Sequence, residues 1–263
     1  MTAAGLRLRA TAGSEWIKFR SVRSVPAALL ATAVVVVVGG LLVTAGFRSG
    51  WSTMTASERA TFDPTFQSLH GVELAQLFVG ALGVLTVTGE YTSGLIRTTF
   101  AATPQRAQVL AVKGLILGGV VWVLCTVASF AAFFAGQVVL TAPARHASLG
   151  DPGVLRAVFG GGVYLLLIGL FGCGVGALLR RTAAALAALF GIVLVLPIAV
   201  ALVPGVLGAR LNEYLPSTAG MEFWTVVRTG GDALGAWPGL AVFALYVVAT
   251  GVAALLLLRR RDV

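Results

Sequence analysis

Six uncharged, mostly apolar runs divide the chain: residues 25–47, 74–89, 114–144, 157–179, 182–209 and 233–258. A helix that crosses a membrane needs about 20 such residues. Each run is long enough except the second, which needs Gly71–Glu73 to complete it. Stretches such as Ala33–Val38 and Leu255–Leu258 do not alternate with polar positions, which excludes the lipid-facing strands of a closed barrel. The pattern therefore predicts an all-α integral membrane protein with six spans, at about 25–47, 71–89, 114–140, 157–179, 183–209 and 237–258. They are framed by an N-terminal arm, 1–24, and a short tail, 259–263. The first run is too long for a signal-peptide core and reads as a retained span. Pro197 removes a backbone donor inside the fifth run and predicts a kink there, with Pro204 near the run's outer end.

Composition agrees. Of the 263 residues, 58% are hydrophobic and 11% charged, against about 45–50% and about 25% in soluble domains. So little charge cannot clothe a water-soluble surface, and so much apolar sequence excludes disorder. The formal charge is +9. In a soluble protein that excess would suggest nucleic acid, but here it follows the loops. The arm, the second and fourth loops and the tail hold 13 Lys and Arg; the other loops hold Arg48, Arg59, Arg145, Arg156, Arg210 and Arg228. By the positive-inside rule, both termini are expected in the cytoplasm, with the protein in the plasma membrane and no nucleic-acid partner. Gly114-x-x-x-Gly118 and Gly172-x-x-x-Gly176 are candidate sites of close helix approach, although 33 glycines also generate such spacings by chance.

Catalytic chemistry is missing from the pattern. Cys125 and Cys173 lie alone in apolar runs, and His70 and His146 fall in or beside different outer loops, so no metal site is expected. The runs lack the ionisable residues that proton-coupled carriers place near mid-membrane. Glu73, about one turn inside the second span, reads as a boundary residue. The only lysines, Lys18 and Lys113, follow Ile17 and Val112, where a phosphate-binding loop requires glycine. The chain is expected to be no enzyme and to bind no cofactor itself. If nucleotide drives it, a partner must hold the nucleotide.

The loop at 89–113 is the most informative segment. Thr92 or Ser93 suits the cap of a short helix carrying Leu95, Ile96 and Phe100, and Thr103-Pro104 is a second helix start. A helix from Pro104 to Leu140 would measure about 55 Å, well beyond the hydrocarbon thickness of about 30 Å. It would therefore tilt or project from the membrane. Glu90, at the inner end of the second span, is expected to accept from amides opening the next helix, or to pair with Arg97 or a partner's basic residue.

The pattern Glu90-Tyr91-x-x-Gly94-x-x-Arg97, then Pro104-x-Arg106 and Lys113, resembles the membrane subunits of ATP-binding-cassette exporters of the second permease class. The basic arm and Leu215-Pro216-Ser217-x-Ala219-Gly220 extend the resemblance. It implies a permease subunit that forms the transmembrane path with a second copy or a related permease. Each would be docked on a separate ATPase subunit that carries ATP and magnesium. It also implies a coupling helix between spans two and three, with Glu90, Tyr91, Gly94, Leu95, Ile96, Arg97, Phe100, Pro104 and Arg106 as coupling residues. The arm, through Trp16, Lys18, Phe19 and Arg20, would lie along the inner membrane surface in contact with lipid. The alternative from a different class is a membrane assembly or sensor subunit that shares the fold and transports nothing.

Overall fold

A computed structural model of the chain describes residues 3–22, 24–94, 106–140, 146–227 and 234–260. Among them there is no strand, and six helices are long and apolar enough to cross a membrane. The protein is a multi-pass, all-helical membrane protein.

The arm forms a helix, Ala3–Ser21, which turns at Val22 into the first span, Ser24–Ser49. A 3-10 turn, Trp51–Thr53, and a short helix, Ala56–Ala60, follow. Thr55 and Glu58 close that short helix in a reciprocal capping box. Another short helix, Pro64–Leu69, runs through His70 into Gly71–Thr92, so the second span extends over Pro64–Thr92. The span thus begins seven residues before the start at Gly71 that the apolar pattern predicts. Gln67 and His70 hide the helix from a hydropathy count, whereas Asp63 as cap and Pro64 at the first helical position announce it.

The third span, Arg106–Val139, has 34 residues, about 51 Å at 1.5 Å per residue. It begins well before its apolar run, as the Thr103-Pro104 signal suggests. The fourth span, Val154–Leu179, ends where Arg180 takes a left-handed conformation at φ 56°. The fifth differs most from expectation. It ends at Ala201 and not near residue 209, because Pro204 and Gly205 (φ 85°) turn the chain into a separate helix, Val206–Glu213. Within it, Thr182–Phe190 passes into a wider turn, Gly191–Val195, in which the Leu196 N–H donates to the Gly191 carbonyl. Pro197 cannot donate to Val193, and the widened turn just before it accommodates that missing bond. The sixth span, Ala236–Arg260, follows another short helix, Pro216–Met221.

The fourth span is the axis of the bundle. It packs on the second and third spans, with the sixth against its other side. Its approach to the second span is nearly backbone to backbone. A Cβ on Gly83 would lie 2.2 Å from the Gly169 carbonyl oxygen, and one on Gly172 would lie 2.4 Å from that of Gly80. Thus the Gly172/Gly176 pair is a true contact seam, whereas Gly114 and Gly118 face only the leucine side chains of Leu166 and Leu170. The fifth and sixth spans are the least buried and turn most of their apolar surface outward.

Loop contacts sort the helix ends onto two faces. At one, Arg48 donates to the Val139 carbonyl (2.6 Å), Gln137 to Ser68 Oγ (2.9 Å), and Arg156 to the carbonyls of Phe223 and Thr225. At the other, the Arg180 guanidinium lies 5.4 Å from the Tyr91 ring centroid, and Thr182 donates to Thr88 Oγ1 (3.0 Å). The arm docks on this second face, so the loops alternate as six crossings require.

Candidate functional site

The arm was expected to lie along the membrane surface through Trp16, Lys18, Phe19 and Arg20. Trp16 and Ile17 are exposed, Trp16 stacks on the half-buried Phe19, and the acid just before Trp16 goes inward. Glu15 is only 3% exposed. The reason is its partners. Lys113 Nζ donates to Glu15 Oε2 at 2.6 Å and to Glu90 Oε1 at 3.0 Å. Lys18 Nζ donates to Glu15 Oε1 at 2.7 Å and to Glu90 Oε1 at 3.1 Å. Two lysines and two glutamates thus close a neutral ring that ties the arm to the end of the second span and the start of the third.

Burial alone would raise the Glu15 pKa. Hydrogen bonds from Lys113 and Lys18 outweigh it and hold the carboxyl below its ordinary value of 4.5. For Lys18, burial opposes the charge, but Glu15 and Glu90 raise its pKa above 10.5. Lys113 and Glu90 are 8% and 7% exposed, whereas the Lys18 side chain keeps 35% of its surface in contact with solvent. A compact ammonium suits this role, because one nitrogen can donate to two carboxylates that are not coplanar.

Glu90 finds two partners within the chain, Lys18 and Lys113, that were not among those expected of it, whereas Arg97 and the amides opening the next helix lie outside the described residues. Glu90 Oε1 accepts from both lysines, while Oε2 is buried without a hydrogen-bond partner. Tyr91 packs beneath Arg180. Gly94 ends the second span at φ 73°, a left-handed position that suits glycine. Arg106 opens the third-span helix. Leu95, Ile96, Arg97, Phe100 and Pro104 lie outside the described residues, as does the coupling helix expected there. Arg20 is exposed on the arm.

Sequence reasoning missed Glu15 and the lysine pair as a unit. One signal was present: of 19 basic residues only two are lysines, and both enter this ring. It missed Asp63 as well. Asp63 Oδ1 caps the Pro64–Leu69 helix through the amides of Thr65 and Phe66, and Oδ2 accepts from Val226 and Val227 at 3.0 and 2.9 Å. One carboxylate thereby clamps the loop after the first span to the loop before the sixth. The Leu215–Gly220 motif forms most of the short helix Pro216–Met221. Gly220 there lies against Tyr164 and Phe243, leaving no room for a side chain. Glu73 faces His70 Nε2 at 3.5 Å. Among the described residues no group of His, Cys, Asp or Glu is arranged to hold a metal ion.

Among the described residues, the feature that joins the arm to the second and third spans is this ring of four charges. It is a charged joint. No family model and no curated protein matches the chain.

Proposed function

We propose that this chain is the permease subunit of an ATP-binding-cassette exporter. It would form the transmembrane path as a pair of copies, driven by a separate ATPase at the face that carries the arm. One observation supports this most: the Glu15–Lys113–Glu90–Lys18 ring binds the arm and both helices that flank the 89–113 loop into one unit. A force applied to that loop would move two spans and the arm together. The second span in turn meets the fourth through backbone contacts that permit little slip. A loop built only to connect two spans has no need of such a joint. The excess of basic residues on this face supports its cytoplasmic placement.

The test is reconstitution with a coexpressed ATPase encoded beside it. The purified chain alone should hydrolyse no ATP, and the complex in liposomes should couple hydrolysis to export. Glu90→Gln should leave hydrolysis in place while transport falls. Robust hydrolysis by the chain alone, or transport unaffected by the substitution, would refute the reading.

A further inference from the structure

The fifth span, Thr182–Ala201, has 20 residues, about 30 Å at 1.5 Å per residue. That just matches the hydrocarbon thickness of about 30 Å and leaves nothing over. Its start is fixed by the two arginines before it: Arg180 lies against the Tyr91 ring, and Arg181 is exposed at the same face. Ala201 therefore stands at the opposite hydrocarbon boundary, and the residues directly after it lie at the level of the lipid head groups.

Those residues are not polar. Leu202, Val203, Val206, Leu207, Leu211 and Tyr214 are all exposed, Leu202 by 80% and Leu207 by 66%. The helix Val206–Glu213 packs against the end of the span, so close that a Cβ on Gly208 would lie 2.0 Å from the Val203 carbonyl oxygen. Gly208 is buried; Asn212, one turn on, is half-buried, and its Oδ1 accepts from Thr218 at 3.4 Å. That ridge faces protein. The neighbouring ridge, Leu207 and Leu211, is also spaced by one turn and faces away.

A contiguous exposed apolar surface of this kind marks a contact. It continues the outward wall of the fifth span, where Val195 and Ile198 are exposed to lipid, and it sits at the depth where that lipid meets its head groups. Arg210 is exposed on the same helix. Its stem can cover hydrocarbon while its guanidinium stays among phosphates. We infer that the helix Val206–Glu213 lies in the membrane interface of the leaflet opposite the arm. Leu207 and Leu211 enter the acyl chains, and Arg210 meets the phosphates of the same phospholipids. The helix thereby anchors the far end of the fifth span, one of the two least buried in the bundle. The inference requires only the six-span fold and holds whether or not an ATPase docks.

Fluorescence quenching tests it. Leu207→Cys and Leu211→Cys carry an environment-sensitive fluorophore in the full chain, with Ile198→Cys as the reference in lipid and Ser57→Cys as the reference in water. Cys125 and Cys173 are buried and stay unlabelled. Each variant is reconstituted into phosphatidylcholine vesicles, with and without a phosphatidylcholine that bears a doxyl quencher near the top of its acyl chain. Iodide on both sides of the membrane is the aqueous quencher. Leu207→Cys and Leu211→Cys should lose at least half as much emission to the doxyl lipid as Ile198→Cys does, and Ser57→Cys should lose almost none. If either variant does not fold, Val206→Cys, exposed on the same helix, takes its place. Iodide quenching as strong as at Ser57→Cys would put the helix in water. Protection from iodide and doxyl lipid alike would put a second copy or another protein on the ridge. Either result would overturn the inference.

Discussion

Replacing Lys113 with methionine tests whether the ring is a joint or a surface decoration. Methionine keeps the unbranched apolar stem of lysine and removes the terminal ammonium with its charge and its N–H donors. Lys113 is 8% exposed and makes two short charged hydrogen bonds. Removing one partner from a buried ion pair costs about 3–5 kcal/mol. Lys18 remains to serve both carboxylates, so the expected loss is at the low end, about 3 kcal/mol. Lys18→Met should cost much less, about 1 kcal/mol, because solvent reaches that site and screens it. At about 2–4 °C per kcal/mol for a chain of this size, Lys113→Met should melt about 6–12 °C below the parent and Lys18→Met no more than about 4 °C below, in matched micelles. Adding Glu15→Gln to Lys113→Met restores the charge balance and should recover part of the loss. The pH dependence has a definite sign. Glu15 has a depressed folded pKa, so its contribution is complete above the unfolded value of 4.5 and is lost as pH falls through the folded value. The gap between parent and Lys113→Met should therefore narrow on acidification below pH 4.5. Equal losses at the two lysines, or a double variant no better than the single, would refute the reasoning.

Lys18 has a raised folded pKa, so its contribution is present below the unfolded value of 10.5 and is lost as pH rises through the folded value. Alkaline melts should therefore converge for the parent and Lys18→Met. Asp63→Ala removes both a helix cap and the clamp between the first and last loops on that face, and should cost about 2–4 kcal/mol by thermal melt. Gly83→Leu places a side chain where the Gly169 carbonyl already lies and should abolish the folded peak in size-exclusion chromatography, whereas Gly251→Leu, with nothing within 4 Å, should leave it intact. Cysteines at Ser57 and Ser148, exposed opposite the arm, should react with an impermeant maleimide on intact cells. Those at Ser14 and Ala183 should not, and the buried Cys125 and Cys173 stay silent. Labelling at Ala183 would refute the cytoplasmic placement of the arm.

The number and kind of spans were legible in the sequence because lipid enforces them locally. Within hydrocarbon each backbone group must be satisfied inside its own segment, so every crossing writes its own apolar run. Helix ends were legible where a cap announces them and the reader looks past polarity: Asp63-Pro64 marks the true start of the second span, although a hydropathy count begins it at residue 71. The fifth span stopped short because Gly205 at φ 85° breaks a run that composition alone leaves continuous.

Partnerships belong to the tertiary structure. Glu90 was recognised as a residue with a task, but its partners lie 23 and 72 positions away in sequence, and Asp63 reaches Val226 across 163. No periodicity encodes such pairs, since a carboxylate at a helix end satisfies the local pattern equally well with an amide, a solvent molecule or a lysine. Which of these it meets depends on how the arm folds back over the second and third spans. The close passage of Gly83 past Gly169 and of Gly80 past Gly172 helps to set how those helices sit. The sequence by itself determined that the chain crosses a membrane six times as helices, because solvation acts on each segment separately. Only the tertiary structure decided that two lysines and two glutamates meet, because electrostatic pairing acts between segments.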